Sequence, residues 1–261
     1  MKLCCWNING IRAISKKEVF VEFLQSYNPD IILFQETKIN DSFKVSGLER
    51  YTYQFDSFAT KKGYSGVTIL SKYEPISVDY NIDGSNEGRT IVIEFKAFYI
   101  INVYVMNSGS DIKRLSNRLE WDNILRNKVK SLMSKKPVII AGDFNSILDS
   151  KLDYHAGNKK LPRLAGLTSE EVKSLQKLVN LGFTDAYRSL HPDLIKYSYY
   201  NYRTKGRLGW LIDRFFVDNR ISDKIISCDV KDQIMGSDHR PIVMNIDCQY
   251  VKSVKSLNPI K

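Results

Sequence analysis

The chain has 261 residues, 43% of them hydrophobic, and a formal net charge of +10. That length suits one large domain or two small ones with ample material for a core, and the charge favours polyanionic partners, nucleic acid or an anionic membrane surface. No apolar run approaches the roughly 18 residues of a membrane helix, which excludes a helical membrane protein. Cys4, Cys5, Cys228 and Cys248 form no CxxC pair. The adjacent Cys4 and Cys5 make a poor disulfide framework and read as small core residues of a reducing compartment. The first residues run straight into a strand-like segment with no leader, so a soluble, intracellular protein is expected.

In chain order, KLCCW (2–6) reads as the first strand. Residues 16–27 carry Val19, Phe20, Phe23, Leu24 and Tyr27 at helical spacing. IILF (31–34), GVTIL (66–70), TIVIEF (90–95) and YIINVYV (99–105) are further strands. Residues 112–134 predict a helix with Leu115, Leu119, Ile124, Leu125, Val129 and Leu132 on one face and charges opposite. PVIIAG (137–142) is a short buried strand. Residues 168–181 predict a helix opened by Thr168-Ser169-Glu170-Glu171, a cap with an acidic first turn. IDRFFV (212–217) and PIVMNI (241–246) complete the strands. No linker, repeat or low-complexity tract divides the chain, so residues 1–249 are expected to form one domain, with 250–261 a basic tail. Many strands and few helices predict an α+β fold of two packed sheets with helices outside.

Polar residues gather where strands end. Asn7 and Asn9 follow the first strand and Glu36 the second. Tyr104 and Asn107 end the run at 99–105, Asp143 and Asn145 follow PVIIAG, and Asp238-His239 precedes the last strand. Each has a plainer reading: Asn9-Gly10 and Asp143-Phe144-Asn145 as turns, Glu36 as a solvated carboxylate or cap. Asp213 is harder to dismiss, because a carboxylate among Trp, Leu, Ile and Phe needs a partner. His155 and His191 lack ligand spacing, which argues against a His-based zinc site. Carboxylates and amides with few His and no thiolates suit a hard cation such as Mg²⁺, with Mn²⁺ a substitute. An Asp can orient a His, and another can activate water, as hydrolysis of a phosphate ester requires.

The blocks WNINGIRA, QETKI, GYSGV, EGR, YVMNSG, GDFNS, GWLIDRFFV and GSDHRP, in that order over residues 1–247, resemble the exonuclease III family of abasic-site endonucleases. That family lies within the DNase I-like endonuclease/exonuclease/phosphatase fold. The resemblance implies a four-layered α/β sandwich of two mainly antiparallel sheets packed face to face, with the active site at one edge. It implies a Mg²⁺-dependent repair enzyme that cuts 5′ to an abasic site and leaves a 3′-hydroxyl, with 3′→5′ exonuclease and 3′-phosphatase activity. The implied partner is double-stranded DNA with abasic sites or damaged 3′ ends; a monomer without nucleotide cofactor is expected. An RNA nuclease, a lipid or inositol phosphatase, and an idle DNA-binding module are the competing readings.

By the same resemblance, Glu36 matches the principal metal ligand, Asp238 an occasional second ligand, and Asn9 a position that is Asp in some members. Asp143 matches the group that activates water, and Asn7 and Asn145 the amides that position it and the phosphate. Tyr104 and Asn107 match phosphate-site residues, and His239 the imidazole on the scissile phosphate, oriented by Asp213. Tyr104, His239 and metal-bound water are the candidates for the leaving-group acid. Arg12, Lys17, Lys38, Tyr64 and Arg89 fall in segments resembling the DNA-backbone loops, although any single Lys or Arg also reads as a solvated charge. Tyr199, Trp210 and Ile212 match an apolar pocket for a flipped-out abasic sugar, or else ordinary core. Three places depart from the pattern. Leu211 stands where many members have Arg, and Arg214 where they have Tyr, an exchange expected to alter substrate preference or DNA grip. Met106 replaces a common Pro, which predicts a less rigid loop. The Lys/Arg- and Tyr-rich connection 200–209 is expected to enter the groove or stack on bases.

Overall fold

A computed structural model of the chain describes residues 1–155, 163–201 and 208–247. The expected tail, 250–261, and most of the basic connection at 200–209 lie outside them. The first six-stranded sheet contains β1 (Lys2–Asn7), β2 (Ile31–Gln35), β3 (Tyr53–Ser57), β4 (Val67–Ser71), β13 (Ile225–Val230) and β14 (Ile242–Ile246), in the order β13-β14-β1-β2-β4-β3. The second contains β5 (Ser77–Tyr80), β6 (Thr90–Glu94), β7 (Tyr99–Tyr104), β8 (Val138–Asp143), β9 (Phe183–Asp185) and β12 (Asp213–Asp218), in the order β5-β6-β7-β8-β12-β9. A short ribbon pairs β10 (Tyr199–Tyr200) with β11 (Gly209–Trp210). The helices are α1 (Ile11–Ile14), α2 (Glu18–Tyr27), α3 (Leu115–Met133), α4 (Ser169–Val179) and α5 (Ala186–Leu190), with a 3₁₀ turn at Asn219–Lys224.

Each sheet has one parallel pair at its centre, β1 with β2 and β7 with β8; the other pairings are antiparallel. Parallel neighbours need a long crossover, and α2 and α3 supply it. The sheets pack through Leu3, Cys5, Leu33, Ile69, Ile93, Ile100, Ile139, Phe215 and Met244. The outer face of the first sheet presents Cys4, Trp6 and Phe34 to Phe20, Phe23 and Leu24 of α2. The outer face of the second presents Ile101, Ile140 and Phe216 to Trp121, Leu125 and Val129 of α3 and Leu175 and Leu178 of α4. This is the expected four-layered sandwich. Strands covered on both faces have no polar side, so they read as unbroken apolar runs. The same burial accounts for Cys4, Cys5 and Cys228, which are buried and free.

The four strands at the sheet edges, β3, β5, β9 and β13, leave no comparable run in the sequence. Each is partly exposed along its length, and half-solvated edges carry polar residues that erase the signal. The expected helix at 112–134 forms over Leu115–Met133, but Ile124 is exposed while Arg118 and Asp122 are buried. The α4 cap is the predicted capping box: Thr168 accepts from the Glu171 amide, and the Glu171 carboxylate reaches back. Gly142 is required where β8 meets β7, since a Cβ there would lie 1.9 Å from the Val103 carbonyl oxygen. Between the sheets Gln35 Nε2 donates to Asn102 Oδ1 at 2.7 Å, and Asn102 Nδ2 donates to the carbonyls of Phe34 and Thr68. This buried amide pair pins the sheets together beneath the ends of β2 and β7.

Candidate active site

Register decides which side chains meet. Asn7 lies opposite Gln35 at the end of the β1–β2 pair, so Glu36 emerges beside it. Tyr104 lies opposite Asp143 at the end of the β7–β8 pair, and Asp143 lies opposite Asp213 at the start of β12. The two central pairs thus finish at one rim, with the loop before β14 bringing Asp238 and His239 across it. Asn9, Glu36, Lys38 and Asn145 adopt positive φ of 49°, 51°, 55° and 47°. Non-glycine residues enter this left-handed region at a cost, and its concentration here marks a rim held in a specific shape.

Asn7 is wholly buried, and its Nδ2 donates to Glu36 Oε1 and to Asp143 Oδ2, both at 2.9 Å. One amide therefore fixes two carboxylates. Asp143 Oδ1 accepts the Asn145 backbone N–H at 2.8 Å. Asn145 Nδ2 donates to the Val105 carbonyl at 2.8 Å, and its Oδ1 accepts from Asn107 Nδ2 at 3.1 Å. His239 Nδ1 lies 2.8 Å from Asp213 Oδ2, and its Nε2 lies 3.9 Å from Asp143 Oδ2. The buried Asp213 has the partner its apolar run demanded. On the open side Asn9 Nδ2 donates to Asp238 Oδ1 at 3.0 Å. Lys38 Nζ donates to Asn9 Oδ1 and sits 2.9 Å from Glu36 Oε2.

The charges follow from these contacts. Burial works to raise the Glu36 carboxyl, but the Lys38 ammonium and the Asn7 amide outweigh it and hold Glu36 below its ordinary value. Burial and the nearby Asp213 carboxylate push Asp143 up to about 7. Burial disfavours a charged His239 ring, but Asp213 more than compensates, with Asp143 and Asp238 adding, and the imidazole is pushed up to about 10. Burial, then Glu36 and Asp143, push the Tyr104 phenol well up, so it keeps its proton. The rim thus holds an ionised Glu36, a carboxyl poised near neutrality, an imidazolium and a neutral phenol.

These residues line a cleft of about 570 Å³ together with Tyr199, Trp210 and Ile212. Tyr199 packs on the His239 ring at 4.9 Å and against Trp210 at 5.8 Å. Ile212 is 3% exposed and joins Ile147, Tyr154 and Leu167 in a small core of its own. Pocket wall and core are therefore the same residues seen from two sides. Ser110, Arg114, Leu164, Ala165 and Asn201 also line the cleft. Asn201 belongs to the basic connection already singled out in the sequence; for the other four the sequence offered no signal, since none lies in a strand-end cluster.

The other expected contact residues scatter. Arg12 is exposed, paired with Asp41 at 2.8 Å and stacked on Phe43. Lys17 donates to the Gly236 carbonyl at 2.6 Å, bracing the loop before Asp238. Tyr64 lies at the cleft's margin, where its hydroxyl accepts from Arg89 at 2.7 Å and from Arg114 at 3.5 Å. Arg89 differs from its expected place on a free surface. It is 2% exposed, lies over the Tyr104 and Tyr64 rings, and bonds Glu87 and the Tyr104 carbonyl, so it braces these two phenols. Leu211 and Arg214 are both wholly buried, Arg214 donates to Asp153 and Asp185, and neither side chain lines the cleft. The Met106 carbonyl is held by Arg118 at 2.8 Å.

Paired carboxylates, an acid-held imidazole and converging amides at the rim of a two-sheet sandwich are the equipment of a hydrolase acting on phosphate esters. The chain belongs to the endonuclease/exonuclease/phosphatase family, whose model matches residues 4–239, and within it to the exonuclease III branch of abasic-site endonucleases. It is 36% identical to an exodeoxyribonuclease of Bacillus subtilis (strain 168) over 255 residues, covering 95% of this chain and 100% of the relative. It is 35% identical to a DNA-(apurinic or apyrimidinic site) endonuclease of Dictyostelium discoideum over 259 residues, covering 95% of this chain and 71% of the relative. An AP endonuclease from Archaeoglobus fulgidus superposes with a TM-score of 0.83 at 28% identity, over 95% of this chain and 100% of that one.

Proposed function

We propose that the protein is a DNA repair endonuclease that hydrolyses the phosphodiester 5′ to an abasic site and leaves a 3′-hydroxyl. The same centre would serve 3′→5′ exonuclease and 3′-phosphatase reactions at damaged ends. The observation that carries this reading is the juxtaposition, in one cleft, of the Asn7-bridged carboxylates with an imidazolium and the Tyr199–Trp210–Ile212 wall. The wall is largely apolar, suited to a sugar turned out of the duplex without its base.

A divalent cation fits the donor set. Oxygen atoms of Glu36, Asp143 and a nitrogen of His239 lie within 4.8 Å of one another, and the Lys38 ammonium already sits as a cation between Glu36 and Asn9. His239 is committed to Asp213 as an imidazolium, so Glu36, with Asp238 and Asn9 beside it, is the set that would hold Mg²⁺ or Mn²⁺. An ion held there would neutralise charge on the phosphate. Asp143, near neutrality and fixed by Asn7, accepts the proton of the attacking water. The imidazolium of His239 donates to a phosphate oxygen, and the amides of Asn107 and Asn145 orient the group. Tyr104 and His239 line the cleft in protonated form, and either can supply a proton to the leaving 3′-oxygen.

The test is cleavage of a labelled duplex carrying one central abasic analogue, beside an intact duplex and a 3′-recessed one, in Mg²⁺ and in EDTA. A single metal-dependent incision 5′ to the lesion is expected. Laddering from 3′ ends alone would make the protein an exonuclease. Binding without cleavage would make it a DNA-binding module and overturn the catalytic roles.

A further inference from the structure

Arg118 lies on α3, outside the cleft, and is only 1% exposed. Its Nη1 donates to the Met106 carbonyl and its Nη2 to the Phe144 carbonyl, both at 2.8 Å, with the Asn145 carbonyl 3.5 Å from Nη1. Met106 precedes Asn107, and Phe144 stands between Asp143 and Asn145. A single planar fork therefore spans the two loops that carry the Asn107–Asn145 amide pair, a geometry that guanidinium supports and an ammonium does not. Behind it, Nε donates to Asp122 Oδ1 at 2.9 Å. Glu171 Oε1 lies 3.9 Å from Nη1 with no hydrogen-bond partner, while its Oε2 accepts from the Gly166 amide and the Thr168 hydroxyl. Gly166 in turn abuts Asn145: a Cβ at its φ of +81° would lie 2.9 Å from the Asn145 carbonyl oxygen. Asn145 is thus held in its left-handed conformation from two sides, through one buried charge cluster.

We propose that Arg118 is a positioning residue for the reaction, acting through Asn107 and Asn145 to preset the amides that orient the phosphate. This rests on the proposed endonuclease function. An ion pair that only stabilised the fold would change the unfolding midpoint and leave the turnover of the folded enzyme alone. A clamp on the amides changes turnover, because an ångström of misplacement costs on the order of 10²-fold in rate.

The full chain is compared as wild type, Arg118→Lys, Arg118→Met, Asn145→Ala and the combination of each Arg118 variant with Asn145→Ala. The substrate is a duplex with one tetrahydrofuran abasic analogue in Mg²⁺, with unfolding midpoints measured alongside. The expected result is a kcat lowered about 10²-fold in Arg118→Met and about tenfold in Arg118→Lys, with KM moved less than about threefold. The loss should vanish in the Asn145→Ala background, since coupled residues are not additive. If Arg118→Met does not fold, Arg118→Lys decides. A folded variant with wild-type kcat, or a loss of equal size in the Asn145→Ala background, overturns the proposal. Should the wild type fail to cleave the abasic duplex, it is the endonuclease reading that falls. The side-chain amide NMR signals of Asn107 and Asn145 then test the clamp directly: they should shift in Arg118→Lys while those of Asn102 stay, and unshifted signals overturn it.

Discussion

His239 carries a proton at neutral pH because Asp213 outweighs the burial of its ring. Replacing Asp213 by Asn removes that carboxylate and leaves the burial. The imidazole, at about 10 in the wild type, should then titrate far lower, and turnover at neutral pH should fall by about 10²-fold or more. An NMR titration of the His239 ring checks the first and steady-state kinetics the second; an unmoved titration would remove Asp213 as the source of the charge. Glu36 makes a separate case. Substitution by Gln keeps its shape and the Asn7 contact but loses the charge, so the Mg²⁺ concentration for half-maximal activity should rise by at least about tenfold, with partial rescue by excess Mg²⁺. Unchanged Mg²⁺ dependence would mean that the ion is held elsewhere.

At the scale of elements, β12 is anchored by a buried charge cluster of its own. Arg214 on β12 meets Asp153 and Asp185, and Arg188 of α5 donates to Asp153 at 2.8 Å. Asp153 also accepts the amides of Leu148 and Asp149, and its backbone carbonyl takes the Leu211 N–H. Three segments converge there, just behind Asp213 and the Ile212 wall. Arg214→Met takes the shared cation from Asp153 and Asp185, leaving Asp153 with Arg188, and should cost about 3–5 kcal/mol in denaturant unfolding at neutral pH. Burial works to raise Asp153, but Arg214 and the backbone amides outweigh it and hold it below its ordinary value. A lowered carboxyl adds stability above the unfolded-state value near 4, and this is lost as pH falls through the lower folded value. The deficit of Arg214→Met should therefore shrink in acid below about pH 4; a pH-independent deficit would point to lost packing instead. On α4, Thr168→Ala removes the hydroxyl of the capping box and should cost about 1 kcal/mol by the same measurement.

For the whole molecule, a net charge of +10 would make the proposed duplex binding an ion-exchange process. The logarithm of affinity should fall linearly with the logarithm of salt, and Arg12→Ala should reduce that slope by about 1 if its guanidinium meets a phosphate. An unchanged slope would leave Arg12 to its contacts with Asp41 and Phe43. The central strands were legible in the sequence because burial on both faces leaves no alternative to apolar residues. Their polar ends were legible because Asp143, Glu36 and Asp213 contradict the runs beside them. The edge strands were not, for they are half-solvated and carry mixed residues. Nor was the rest of the cleft lining, since Leu164 and Arg114 look like any loop Leu or helix-end Arg. The sequence by itself determined which elements form and which side chains have no reason to be there except chemistry. Only the tertiary structure decided which of them meet. Strand register sets Asp143 opposite Asp213, and packing puts Arg118, Arg89 and Arg214 inside. A side chain's charge is written in the sequence, but its burial and its partner depend on segments up to a hundred or more residues away.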